Sequence, residues 1–333
     1  MSVARLLLLG LLAGVLVALS LALTERGSSQ IVAEGYWLPD VGNQIEQLRR
    51  IEIYAGSNDA VVSLRQQESH WRVEQLDGYP AKLAQLAGLV RELSQARLLE
   101  PRTADVLRHA RLHVDDPRQP GAAGVLVQLH DASGVTDQLV IGQRSEFGTV
   151  VRRLAEDQAW LVDQPLSVPT DPMAWVDDLI LNLPSRDVDE IRFSAGAERY
   201  SLQRNPARQW ELSPLPEGRE PLAQTSLARV SEALSGLRAR EIARLAQGEQ
   251  APAVLAEVVF VYSDATQLAV KRLHLGDTDW VAFEVIPSSS QAPLADWQEM
   301  AERLSPWRFR LPGYKIAAIF RAQEALLREL PEG

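Results

Sequence analysis

Apolar and polar positions along this chain follow strand and helix periods in the same order twice. Ile51-Glu52-Ile53-Tyr54 and Ile191-Arg192-Phe193-Ser194 alternate as half-buried strands do. Val61-Val62-Ser63-Leu64-Arg65 and Tyr200-Ser201-Leu202-Gln203-Arg204 come next, and each set closes on a tryptophan strand, Trp71-Arg72-Val73 or Trp210-Glu211-Leu212. A helical period follows. Leu83, Leu86, Val90 and Leu93 in one copy, and Leu227, Val230, Leu234 and Leu237 in the other, advance in steps of three, four and three. That spacing sets one apolar stripe along a helix, the stripe needed to cover a sheet. Pro80 and Pro221 precede the two combs, where a fixed φ suits a first helical turn.

Strand pairs come next. Val125 to Asp131 leads through Gly134 to Leu139-Val140-Ile141-Gly142, and Val258 to Asp264 leads to Leu273-His274-Leu275-Gly276, each reading as a hairpin. Both copies close on Trp, Leu-Pro and two spaced branched residues: Trp175, Leu183, Pro184, Val188 and Ile191 against Trp307, Leu311, Pro312, Ile316 and Ile319. Such internal repetition predicts two related units in tandem. Residues 97–124, rich in charge and proline, read as a loop or small helical insertion of the first copy. Ile286 to Pro293 reads as an exposed linker in the second.

Ahead of the repeats, Leu6 to Leu23 is apolar except for Ser20. A helix of that length spans about 27 Å, close to the hydrocarbon core of a bilayer. Arg5 favours an orientation with the N-terminus inside. A cleaved signal peptide processed near Ala18 and Ser20 is the competing reading, but the run exceeds the usual signal core of about 7–15 residues. Either reading exports the remainder.

The expected fold is therefore α+β: one N-terminal transmembrane helix followed by two tandem modules, each a mainly antiparallel sheet with a packed amphipathic helix. Residues 1–24 form the anchor, 25–50 a stalk, 51–190 the first module, 191–320 the second and 321–333 a C-terminal tail.

Composition narrows the function. A formal charge of -10 and a pI near 5.1 remove the basic footprint that nucleic acid requires. The chain has no cysteine, so disulfides, thiolate metal sites and a cysteine nucleophile are excluded. No nucleotide-binding Gly-x-x-x-x-Gly-Lys or Gly-x-Gly-x-x-Gly loop occurs, and no Gly-x-Ser-x-Gly elbow or Ser-x-x-Lys pair.

His109 and His113 have the spacing of a zinc helix, with Asp115 and Asp116 nearby, but the intervening Ala110, Arg111 and Leu112 include no catalytic glutamate. Asp115-Asp116 and Asp177-Asp178 read as loop and cap carboxylates. Trp71, Trp210, Trp175 and Trp307 occupy matched positions and read as core; Trp37 and Trp297 are unmatched and are the better candidates for exposed contacts. No catalytic, cofactor-binding or metal residue is assigned.

In order and spacing, the apolar opening run, the Ile-x-Ile and Trp-x-Val strands, the leucine comb, the hairpin ending Ile141-Gly142 and the closing Trp175 with Leu183-Pro184 resemble the bacterial family called domain of unknown function 4340. The resemblance covers most of residues 45 to 320. It implies a membrane-tethered accessory component found with ABC transporters of the gliding-motility type, with no ATPase of its own. The expected role is thus an extracytoplasmic accessory or scaffold protein at the bacterial inner membrane, single-pass with its bulk in the periplasm. Its expected partners are that membrane and a transporter permease or other envelope protein, without nucleotide or cofactor. An envelope hydrolase with dispersed acidic residues, or a periplasmic glycan- or peptide-binding spacer using Trp37 and Trp297, are the alternatives.

Overall fold

The strands predicted by alternation assemble into two large antiparallel sheets in the computed structural model, which describes residues 35–44, 46–246, 251–288 and 296–330. The first sheet is built from β1 (Arg50–Tyr54), β2 (Val62–Gln67), β3 (His70–Val73), β4 (Tyr79–Pro80), β5 (Leu98–Thr103), β6 (Val125–His130), β7 (Val135–Ser145), β8 (Gly148–Arg153) and β9 (Ala159–Val162). Its order is β4-β3-β2-β1-β6-β7-β8-β9-β5. After the short β10 (Leu179–Leu181), the second sheet uses β11 (Val188–Ala195), β12 (Glu198–Arg204) and β13 (Trp210–Ser213). It is completed by β16 (Glu241–Arg244), β17 (Val254–Tyr262), β18 (Gln267–Leu275), β19 (Thr278–Ile286) and β20 (Trp307–Arg310).

The second order is β13-β12-β11-β17-β18-β19-β20-β16, the first order again without a partner for β4. Two small ribbons pair β10 with β15 (Leu237–Arg238) and β14 (Arg219–Pro221) with β21 (Leu327–Glu329). The chain divides into two compact units: residues up to 61 with 84–168, and residues 62–83 with 169–333.

These observations correct the expected α+β class. The structure is mostly antiparallel sheet. Among the described residues there are twenty-one strands and five short α-helices: α1 (Val41–Gln44), α2 (Leu83–Gln95), α3 (Gln224–Ser231), α4 (Trp297–Leu304) and α5 (Gly313–Ile319). None of these is long and apolar enough to cross a membrane. The expected anchor 1–24 with its apolar run 6–23, residues 25–34 and 45 of the expected stalk, 289–293 of the linker and 331–333 of the tail lie outside the described residues.

The leucine combs explain the overcount of helix. In α2 the buried stripe is Leu86, Leu89, Val90 and Leu93, whereas Leu83 stands in solvent at the first turn. The second comb is helical only to Ser231. Leu234 and Leu237 are buried without being helical, because Gly236 takes a left-handed φ of 56° and turns the chain into β15.

Residues 97–124 differ from expectation as well. They begin with β5, an edge strand paired to β9, whose exposed Glu100 and Arg102 and internal Pro101 mask its pattern. The position is not peculiar to the first sheet, since β16 occupies it in the second. A 3₁₀ helix (Val106–Leu112) follows, and the chain then passes directly over β6 and β7. Gly124 and Gly142 make room: a Cβ on Gly124 would lie 2.1 Å from the His113 carbonyl oxygen, and one on Gly142 2.5 Å from that of Leu112.

Asp116 secures this crossing segment, accepting two parallel hydrogen bonds from Arg118, at 2.9 Å from Nε and 2.7 Å from Nη2. The arginine bonds hold the Asp116 carboxyl below its ordinary pKa. A carboxyl more acidic in the folded than in the unfolded chain contributes stability above about pH 4, and the contribution disappears as pH falls through the folded value. Asp116→Asn should therefore flatten part of the decline in urea midpoint between pH 6 and pH 3 while leaving a lower, less pH-dependent midpoint. An unchanged slope would remove Asp116 from the acid transition.

Candidate functional site

The two sheets differ on the face turned away from Ile51 and Ile53 in the first and from Ile191 and Phe193 in the second. In the first sheet one transverse row reads Tyr54, Leu126, Val140, Arg152, Ala159 across β1, β6, β7, β8 and β9. The row at the same place in the second sheet reads Ser194, Glu257, Lys271, Ala282, Arg308. The apolar row is covered: Val114, carried by the crossing segment, is fully buried in one cluster with Leu126, Val140, Val150, Ala159 and Leu161. Arg152 anchors that cover, its Nε donating to the Val114 carbonyl at 2.7 Å and its Nη1 to those of Leu154 and Glu156 at 3.0 and 2.8 Å.

The second face is polar. Next to the Ser194 row lies Ser201, Arg192, Val259, Ala269, Glu284, and beyond it Gln203, Glu190, Val261, Gln267. Arg192, Arg199, Gln203 and Glu284 are exposed, and Val259 and Val261 are half-buried between them. Such alternation, with one face packed and one solvated, is the usual state of an antiparallel sheet. Arg192 Nη2 donates to Glu190 Oε2 at 3.0 Å, which raises an already high guanidinium pKa. Lys271 pairs with Glu257 and Glu284. Depressions of about 580 and 550 Å³ open on this face, the second lined by Arg192, Arg199, Ser201, Glu257 and Val259. The inner side is closed by apolar contacts, including the cross-strand stack of Phe193 on Tyr200 at 4.9 Å.

Chemically, this surface offers paired charges around short apolar stripes. It is suited to recognition, since its carboxylates are engaged with arginine and lysine.

The residues singled out by sequence do not come together. His109 is buried in the 3₁₀ helix, its Nε2 2.8 Å from the Asp157 carbonyl oxygen, while His113 occupies the cap with a φ of 58°. Asp115 is half-buried beside Asp116. Asp177 accepts from the Leu179 amide at 3.1 Å, and Asp178 pairs with Arg238. Among the described residues no group of three or more His, Asp or Glu has metal-holding geometry.

Trp71, Trp175, Trp210 and Trp307 are all buried, but only Trp71 and Trp210 are structural counterparts, in β3 and β13; Trp307 opens β20, the counterpart of β9, whereas Trp175 ends a 3₁₀ helix (Pro172–Trp175) outside both sheets. The reading of Trp37 and Trp297 as exposed contacts is corrected, since they are only 6% and 4% exposed. Trp297 packs on Tyr262 and donates from its indole nitrogen to the buried Asp264 carboxylate at 2.7 Å. The polar face itself was overlooked. Its signal was present in Glu190, Arg192, Glu257 and Lys271, charged residues alternating with the core positions of β11, β17 and β18.

Two antiparallel sheets of shared strand order, one face covered in the first and polar in the second, define a tandem β-sheet protein, an architecture that by itself assigns no function. The model of the family described as Domain of unknown function (DUF4340) matches residues 71–257, more than half of the chain, and the chain belongs to that family. No curated protein and no solved structure matches it.

Proposed function

We propose that this protein is an extracytoplasmic accessory or scaffold component of the bacterial envelope. It is held at the inner membrane, has no catalysis of its own, and binds a protein of an ABC-type transport system. The observation that supports this reading is the difference between the two sheets. Equivalent rows are apolar and covered in one, mainly charged and part-exposed in the other, so the second sheet keeps a patterned surface available to a partner. Charge pairs around small apolar stripes favour specificity over bulk affinity, the behaviour expected of an accessory subunit. The membrane part of the proposal draws on the eighteen-residue stretch Leu6 to Leu23.

Copurification from gently solubilised membranes tests it. A permease or other envelope protein should be recovered with the wild-type chain. Arg192→Ser combined with Arg199→Ser should reduce that recovery severalfold, with the thermal melting of the chain little changed, because both side chains are exposed on the open face. Recovery of the wild-type chain alone under several mild detergents would count against the proposal.

A further inference from the structure

Three large apolar side chains stand exposed at one end of the first sheet: Tyr36 at 45%, Leu99 at 44% and Phe147 at 68%. Their common location follows from hydrogen bonding. Arg144 pairs with Thr149, Thr149 with Val162 and Val162 with Leu98, and the Leu98 amide donates to the Gly35 carbonyl at 3.0 Å. Gly35, the first described residue, therefore lies at the end of the sheet where β7 turns into β8, the turn that carries Phe147. Tyr36 is fixed there: it forms a bridge with Arg97, whose guanidinium stacks over the Tyr36 ring at 5.3 Å and donates to its hydroxyl at 3.3 Å. Asp163 holds the neighbouring backbone, accepting from the Arg97 amide at 2.9 Å.

We infer that this end of the first sheet rests on a phospholipid bilayer, with Phe147, Leu99 and the Tyr36 ring in the interfacial layer. The inference rests on the membrane tethering in the proposed function and deepens it by assigning the contacting surface.

Chain length supports the choice of end. Leu23 closes the apolar stretch and Gly35 begins the described structure, twelve residues later. Twelve residues reach at most about 40 Å when fully extended, and an unconstrained chain of that length averages roughly 20 Å. The eleven residues of β7 measure about 37 Å, so the opposite end of the sheet, at the turn Asp131–Gly134, could approach the bilayer only with the tether close to full stretch. The end at Gly35 can touch it without stretching.

The side chains have the chemistry of an interface. A tyrosine with its ring beside an arginine and its hydroxyl bonded is amphipathic in the way interfacial tyrosines are. A phenylalanine at a turn tip gains by leaving water. Exposed Arg97 and Arg144 are offset by exposed Glu146 and Asp163, so no net charge draws this end to anionic lipid. The contact is apolar and should form equally on zwitterionic vesicles.

The absence of cysteine makes the test clean. Single Glu146→Cys and Ser133→Cys variants of the full chain, nitroxide-labelled and reconstituted in phosphatidylcholine vesicles, place one probe beside Phe147 and one at the opposite end of the sheet. Collision with a water-soluble nickel chelate should fall severalfold at position 146 on transfer from detergent to vesicles and stay constant at 133. Adding Leu99→Asp and Phe147→Asp should restore access at 146 while the protein still floats with the vesicles. Flotation with equal chelate access at both positions would overturn the inference and leave tethering intact. Failure to float would overturn tethering, and the inference with it.

Discussion

Replacing Gly148 with alanine is expected to destabilise the first unit by more than about 4 kcal/mol, among the largest effects a single methyl can have. Two causes combine. Gly148 has a φ of 135°, a conformation L-residues rarely adopt, and a Cβ there would lie 1.8 Å from the Val162 carbonyl oxygen. That oxygen is backbone, so relief requires moving β9 away from β8. The displaced rung is Thr149 against Val162. It also carries the fully buried Thr149 hydroxyl, which donates to the Gln164 carbonyl at 2.8 Å and accepts from the Leu166 amide at 3.0 Å. Gly134→Ala separates the causes, since Gly134 has nearly the same φ, 133°, but nothing within 4 Å of a Cβ. Backbone strain alone should cost it only about 1–3 kcal/mol. Urea titrations of both variants measure the difference, and equal losses would show that the collision with Val162 is relieved at little cost.

The second large effect is expected at Arg152, a residue only 5% exposed. Arg152→Met retains much of the side-chain volume but removes the donors to the Val114, Leu154 and Glu156 carbonyls. Hydrogen bonds from a charged donor contribute about 1.5–3 kcal/mol each, and a carbonyl left buried without a partner adds its desolvation cost. A loss of about 3–5 kcal/mol follows, with amide exchange accelerated first in residues 112–118. Arg152→Lys should fall between, because one ammonium cannot reproduce the fork that serves carbonyls on different sides. A methionine variant as stable as wild type, with unchanged exchange there, would mean that the cover is held by Val114 packing alone.

Arg152 holds the cover of the first sheet, which is also where the sheets diverge. Arg152 has Ala282 as its counterpart in the matching row, and Leu126 and Val140 have Glu257 and Lys271. A cover in the second sheet would have to bury Glu257 and Lys271, whose pairing offsets only part of the desolvation cost. The charged row therefore disfavours a cover there.

The sequence by itself determined the repeated order of strands, the burial of Trp71, Trp175, Trp210 and Trp307 and membership of the family, because alternation and spacing are local and survive in any tertiary setting. It did not determine the balance of sheet and helix. Leu234 and Leu237 continue a helical comb, yet the left-handed turn at Gly236 directs Leu237 into pairing with Leu181, a partner supplied by a distant segment. Nor could it place Trp297, whose burial depends on Asp264 and Tyr262 more than thirty residues earlier. The polar face likewise emerged only when β11, β12, β17 and β18 came into register, because a surface made of alternate residues on separate strands has no contiguous trace in the chain.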